Sequence, residues 1–551
     1  MLALSPNRQT QRSFSTLEAV TGANLAAVRS YSGKSAYTGL DGSGIGIAIL
    51  DSGVMRNHQA FSGPAGLRLK RNVTMLNNSA ANWTTGVAGV NSLQPGSTAL
   101  ASYEAAIAND TAATPDGYGH GTHVASVAAG RYFAPSTASQ QDMNGIAPNA
   151  NLYDVKVLSD AGTGTTSDAI EGIEWVIFHA KEYNIRVLNI SLAAQSTQSW
   201  TTDPLCVAVR SATAAGITVV VAGGNFGLNT SNQEVYGRIS APGNDPSVIT
   251  VGSVNLHDTV VRDDDTINGF SARGPTRGAT VDIFGVRHPD NLLKPDLVAP
   301  GNRLVGAGST LSTTLNWNLL GSSYLSNLVS PLGLPAVKNQ TQMLLSGTSI
   351  AAPAVAGAAA LLLQANPGLT PPLVKAILQA SAQPLRNANL LQQGAGELNI
   401  EGAEQPVAGA VRRGPGRCAG RQLVAGRQDR RLHAHAVAVR LAAQRQDAAA
   451  GRDPQLGPRP QRRPGPQRGP GPQRRPGAQR GPGAQRRAGA ERRPGAERAD
   501  RARGVTYAAA LRTARSAHSL ARLSIGAVVD MAEPARAMVG NHATVPVAKG
   551  P

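Results

Sequence analysis

Short apolar runs alternate with longer helical segments through the first 400 residues. Ile45–Leu50 is almost unbroken in its apolar character and closes on Asp51-Ser52-Gly53. Such a run predicts a strand buried on both faces of a parallel sheet. Leu152–Leu158 precedes a helical segment at Ser167–Glu182, and Arg186–Leu192 precedes another at Leu205–Ala215. That alternation is the βαβ signature of a parallel sheet flanked by helices. A third β-prone run, Ile217–Val221, ends in Ala222-Gly223-Gly224-Asn225. The small-residue stretch that opens near Ser349 and continues through Ala354–Gln364 predicts a tightly packed helix with a serine at its start.

Two connections depart from this rhythm. Val73–Gly117 is long and polar, and Gly308–Gln342 precedes the serine segment. Stretches of this length in a compact domain are commonly functional insertions, and both are expected to frame a cleft. The most apolar stretch, Ala354–Leu363, falls far short of the roughly 20 residues of a membrane span.

Composition divides the chain. Residues 1–400 carry 23 Lys and Arg against 24 Asp and Glu, whereas residues 401–551 carry 29 against 10. The whole-chain net charge of +18 is therefore a property of the tail and does not describe a basic core. From Pro464 to Ala499 the tail repeats every six residues, as in Pro-Gly-Pro-Gln-Arg-Arg, with no aromatic or β-branched residue. Such a segment cannot bury a core and is expected to be disordered. Without glycine at every third position it is not collagen. A polycationic arm for nucleic acid or another polyanion is one reading. Translation in a shifted frame is favoured over it, because Pro, Gly, Ala and Arg share GC-rich codons and dominate abruptly after about Val407. The expected organisation is an N-terminal extension (1–37), a folded α/β domain (38–407) and a disordered Arg/Pro/Gly/Ala-rich tail (408–551). Cys206 and Cys418 make no disulfide framework.

Four residues stand in contexts suited to chemistry. Asp51 ends a buried strand, where open α/β sheets build their sites, although aspartate and glycine also make ordinary turns. A carboxylate there would orient a histidine ring through one nitrogen. His120 and His123 are three apart at the start of a helical segment. A zinc-protease pattern needs His-Glu-x-x-His, and here both spacing and glutamate are wrong. His120 is read as a general base, since imidazole titrates near neutral pH, and His123 as a packing residue. Ser349 needs such a base to act as a nucleophile, and Ser-Gly-Thr-Ser before a helix is also an N-cap pattern. Asn225, after two glycines, is either a turn former or a donor to a developing oxyanion.

The segments carrying these residues resemble the blocks of the subtilisin-like serine proteases, the subtilases. The resemblance runs from about Gly42 to Glu404. It rests on Ile45–Gly53, Gly119-His-Gly-Thr-His-Val-Ala-Ser126, Gly145–Leu158, Val187–Leu192, Val219–Asn225, Phe270–Pro275, Lys294–Gly301 and Leu345–Pro353. The order Asp, His, Ser is itself the subtilisin order.

The resemblance implies an α/β, three-layer sandwich with a mostly parallel central sheet, and a serine endopeptidase with polypeptide substrates and an acyl-enzyme intermediate. It assigns catalysis to Asp51, His120 and Ser349, and the oxyanion to Asn225 with the Ser349 amide. Substrate pairing falls to Ser191, Leu192 and Ala193, and the first side-chain pocket to Ala222, Gly223 and Gly224. Ala193, Ser126 and Ile350 depart from the family's usual glycine, glycine and methionine, which is expected to alter specificity or rate. No cofactor or catalytic metal is required. Structural calcium is not expected, because Arg131–Asn144 offers only Asp142 as a carboxylate. Secretion is expected from the resemblance, although Met1–Arg8 does not look like a signal peptide. The alternatives are a catalytically impaired subtilase-shaped binding module and a tail-driven polyanion binder.

Overall fold

The computed structural model describes residues 15–31, 37–76, 96–113, 115–131, 144–310, 318–320, 328–329, 338–404 and 524–526. The strands that matter for the site are β1 (Gly46–Asp51), β2 (Leu69–Thr74), β3 (Asn151–Lys156), β4 (Thr163–Thr165), β5 (Ile185–Ile190), β6 (Thr218–Ala222), β7 (Ile249–Asn255), β8 (Thr266–Ile267), β9 (Leu297–Pro300), β10 (Leu304–Ala307) and β11 (Gln342–Leu345). The helices that bear on the site and its core are α1 (Thr16–Thr21), α2 (Thr98–Ile107), α3 (His120–Ala129), α4 (Thr166–His179), α5 (Pro204–Ala214) and α6 (Thr348–Ala365); Pro371–Ser381 and Leu390–Gln393 are helical as well.

The central sheet runs β8-β7-β6-β5-β1-β3-β2, with β9 also paired to β7. Only the β7–β8 pair is antiparallel. Every residue of β1 is buried, which explains why its sequence does not alternate. Ile47 and Ile49 pack on one face with α3 and α6, while Ala48 and Leu50 pack on the other with α4 and α5. The result is the three-layer α/β sandwich, with the strand ends after β1, β5 and β6 opening toward one side.

Helix α6 is the central pin of one layer. Thr348–Leu363 are all buried. At eighteen residues it is long and apolar enough for a membrane span by composition alone, yet it is the core helix of this domain. Its alanines and Gly357 bring it close to α3: a Cβ on Gly357 would lie 2.7 Å from the carbonyl oxygen of Ala128.

The packed body begins before residue 38. Leu17, Val20, Ala23 and Val28 sit in the main core, and the buried Glu18–Arg29 pair closes at 2.6 Å. Arg29 also donates Nη2–H to the Ile146 carbonyl at 2.7 Å. Residues 15–31 of the segment read as an extension are thus part of the domain itself.

The first long connection is partly structured. Ser97 caps α2 by accepting from the Leu100 N–H, and Tyr103 and Ile107 dock that helix on the core. Of the second, Asn318–Leu320 and the Gly308–Thr310 end pack behind the loop that leads to His120. Leu319 and Leu320 donate backbone N–H groups to Gly117 and Tyr118 at 2.9 and 3.1 Å. The hexapeptide repeat and the rest of 405–551 lie outside the described residues, apart from strand Ser524–Gly526.

Candidate active site

Asp51 is the last residue of β1, His120 the first of α3 and Ser349 the second of α6. Three elements far apart in sequence therefore deliver their side chains to one point. His120 Nδ1 lies 2.8 and 3.0 Å from the two Asp51 carboxylate oxygens, and His120 Nε2 lies 2.9 Å from Ser349 Oγ. A carboxylate only accepts, so the ring proton is on Nδ1 and Nε2 is left to accept the serine O–H. All three residues are buried, with Ser349 3% exposed. The approach of α3 to β1 depends on Gly121, where a Cβ would stand 2.2 Å from the Gly53 carbonyl oxygen.

The serine side is fixed from behind. Thr348 donates its backbone N–H and its hydroxyl to Asn225 Oδ1 at 2.9 and 2.8 Å. The Thr348 hydroxyl in turn accepts from the Gly224 N–H at 3.1 Å. With Oδ1 held this way, Asn225 Nδ2 is left on the side of Ser349. A Cβ built on Gly347 would lie 2.8 Å from Ser349 Oγ and 3.2 Å from Asn225 Nδ2. The two groups therefore border the same small space, and glycine keeps it open.

The residues assigned to substrate are placed around this point. Ser191, Leu192 and Ala193 follow directly on β5, and Ala194 exchanges two backbone hydrogen bonds with Ala241 at 2.9 and 3.0 Å. The Ser191 side chain is turned inward, donating Oγ–H to the Ser349 carbonyl at 2.7 Å. Ala193 as a whole is 6% exposed, so it lies packed at this edge. Ala222, Gly223 and Gly224 connect β6 to Asn225, with Gly223 bonded to Val251 and Ser240 through the backbone.

Several residues escaped the sequence reading. Strand β4 lies beyond β3, and its edge pairs antiparallel with Ser524–Gly526. A three-residue Thr-Gly-Thr strand has too little pattern to be seen in sequence. Asp116, four residues before His120, is 1% exposed and receives four hydrogen bonds from Ser52, Gly119 and Thr122. An Asp in a glycine-rich loop reads as a turn residue, and its partner Ser52 is remote in sequence.

His123 is not part of the reacting chain. Its Nε2 donates to the Leu304 carbonyl at 3.0 Å, and burial pushes its pKa down to about 4, so it is a neutral packing residue. His58 is alike: buried, bonded to the Thr341 carbonyl at 2.9 Å, and pushed down to about 4. Cys206 is a buried free thiol, raised by burial first and by nearby Asp203 and Asp245. Among the described residues no group of three or more His, Cys, Asp or Glu side chains is arranged to hold a metal ion. Residues 132–143, where calcium was considered, lie outside the described residues.

A parallel α/β sandwich with an aspartate, a histidine and a serine joined at its strand ends defines a class, and comparison with known proteins agrees. Residues 42–401 match the Subtilase family, Peptidase_S8, and the chain belongs to that family. Serine protease AprX of Bacillus subtilis (strain 168) is 35% identical over 294 residues, 52% of this chain and 58% of that protein. Subtilisin DY of Bacillus licheniformis is 32% identical over 290 residues, covering 53% of this chain and 79% of its own. The solved structure of sphericase aligns with 71% of this chain and 100% of its own at 21% identity, with a TM-score of 0.46. The chain spans little more than half the length of AprX.

Proposed function

We propose that this chain is a serine endopeptidase that cleaves polypeptides through an acyl-enzyme. The observation that carries the reading is the continuous hydrogen-bonded chain Asp51–His120–Ser349, with links of 2.8 and 2.9 Å. Ser349 Oγ attacks the scissile carbonyl while His120 Nε2 takes its proton. Asp51 holds the ring in the Nδ1–H tautomer and stabilises the imidazolium as it forms. His120 then gives that proton to the leaving amine, and water repeats the sequence to release the acid.

The negative charge that develops on the carbonyl oxygen is met by Asn225 Nδ2 and the Ser349 backbone N–H. Both are set before reaction, so little reorganisation is needed. Position two of α6 adds the positive end of the helix dipole. The substrate lies extended between Ser191–Ala193 and β4 and adds a strand to both edges. The pairing of Ser524–Gly526 with β4 supports that edge as one open to a peptide backbone. Ala222–Gly224 then line the first side-chain pocket. Similarity to subtilisins supports work outside the cell.

Labelling with a fluorophosphonate, together with hydrolysis of a denatured protein, tests the reading on the full chain. Labelling and cleavage that both vanish in Ser349→Ala support it. A protein that folds but neither labels nor cleaves is the impaired binding module instead.

A further inference from the structure

We propose that Asp116 is a positioning residue for the His120–Asp51 pair, locking the start of the histidine helix to the end of the aspartate strand. The inference rests on the protease reading above and adds to it a residue that does not touch the reacting atoms.

The geometry is a closed network. Asp116 Oδ1 accepts from Ser52 Oγ at 2.9 Å and from the Gly119 N–H at 2.8 Å. Asp116 Oδ2 accepts from the Thr122 N–H at 2.9 Å and from Thr122 Oγ1 at 2.6 Å. Ser52 also receives the Gly121 N–H at 3.0 Å, and Thr122 Oγ1 receives the Met55 N–H at 2.9 Å. Each hydroxyl therefore accepts from an amide and has only its own proton to give, and that proton goes to Asp116. Four donors converge on two oxygens, so the network accommodates the carboxylate and not the acid. Burial, the largest influence, pushes its pKa up, while Lys156 and the Thr122 and Gly119 donors pull it back.

The same residues bracket the catalytic pair. Ser52 follows Asp51 directly and donates its N–H to Asp51 Oδ1 at 2.7 Å. Gly119 and Gly121 flank His120, and Gly119, as the helix N-cap, has no side chain with which to cap it. Asp116 supplies that cap from three residues upstream and ties it to Ser52. Lys156 Nζ holds the Ser52 carbonyl from the other side. A buried negative charge at the helix start also favours the imidazolium that forms in the reaction.

Asp116→Asn is the sharp probe, because the amide turns one acceptor oxygen into a donor facing two donors. Ser52→Ala breaks the tie to Asp51 more gently and decides the matter if Asp116→Asn does not fold. Both are made in the full chain, with active sites counted by fluorophosphonate titration. The expected result in either variant is kcat per titrated site lower by roughly 10- to 100-fold with KM little changed; in Asp116→Asn, which removes the charge, the acid limb of the kcat/KM profile also moves to lower pH. A purely structural role would lower the titrated fraction and leave the acid limb in place. Wild-type kcat and acid limb per titrated site, in whichever of the two variants folds, overturn the inference. A wild-type protein that does not label would instead remove the protease reading beneath it.

Discussion

The hydroxyl of Ser191 stands where a backbone N–H of Pro353 would have been. In a regular helix the amide of residue 353 would donate to the carbonyl of residue 349, but proline has no N–H. Pro353 is the sixth residue of α6, and the Ser349 carbonyl it leaves open accepts Ser191 Oγ–H at 2.7 Å. Asn189 Nδ2 donates to the same Ser191 Oγ at 2.8 Å, which directs the serine proton toward Ser349. The helix that carries Ser349 is thereby pinned to the end of β5, beside the proposed substrate edge. Ser191 thus has a structural partner that its place in a substrate-flanking block did not disclose.

Ser191→Ala leaves a buried carbonyl without that donor and should cost about 1–3 kcal/mol of stability. Pro353→Ala restores a helical N–H to the same carbonyl, so it should recover part of the loss in the Ser191→Ala background. Proline replacement also alters the unfolded chain, and the double-mutant cycle separates that contribution from the coupling. Urea midpoints of the four proteins provide the measurement. Additive effects within error would mean that the two residues do not share the Ser349 carbonyl.

Asn225 and Thr348 give a prediction about rate. Thr348 fixes Oδ1 through two donors, so the amide cannot flip without losing both. Asn225→Ala should lower kcat by about 10²- to 10³-fold with KM near the wild-type value, because the contact strengthens only as the oxyanion forms. Asn225→Asp should be at least as damaging, since it sets a carboxylate toward a negative oxygen. A rise in KM at unchanged kcat would place Asn225 in substrate binding.

The legible parts of the fold were those with unbroken patterns. Ile45–Asp51 could be read as a buried strand because nothing polar interrupts it before the carboxylate. Helix α6 could be read from its alanines, which allow the close packing seen around Gly357. Helix α2 was missed because its anchors, Leu100, Tyr103 and Ile107, make one short i, i+3, i+7 stripe inside a long connection that is otherwise rich in Ala, Ser, Thr and Asn. Residues 15–31 were missed as part of the domain because their strongest tie, Arg29 to Glu18 and the Ile146 carbonyl, is a buried polar contact. Asp51, His120 and Ser349 were legible through their blocks. Asp116 was not, because its role consists of partners on both sides of a 64-residue separation from Ser52.

Glu397 makes the fold sensitive to alkali. Its carboxyl is buried, with Arg262 Nε 3.7 Å from Oε2. Desolvation pushes its pKa up, and the neighbouring Asp265 adds to the rise against the pull of Arg262. The folded state holds this proton more tightly than the unfolded chain. The resulting stabilisation is full below the ordinary glutamate range and is lost as pH rises through the folded-state value. Glu397→Gln keeps the shape of the neutral acid and cannot ionise. It should raise the urea midpoint at pH 9 relative to wild type and change it little at pH 4. An equal shift at both values would refute the titration argument.

His58 and His123 act at the other end of the scale. Both are fully buried, and desolvation holds each near 4, against about 6.5 for an unfolded histidine. His58 Nε2–H donates to the Thr341 carbonyl, and Nδ1 accepts the Ala60 N–H at 3.1 Å. A second ring proton would therefore face an amide proton. The unfolded chain binds that proton first, so the stabilisation is intact above about pH 6.5 and is lost as pH falls toward 4. The two rings together should withdraw several kcal/mol over that window, each no more than about 3 kcal/mol. His58→Asn retains an acceptor for Ala60 at a position that caps a helical turn but has no charge to gain. Its stability should fall less steeply between pH 6.5 and 4.5 than that of wild type, whatever its absolute value at pH 7. Parallel slopes in the two proteins would show that His58 is not titrating in this range.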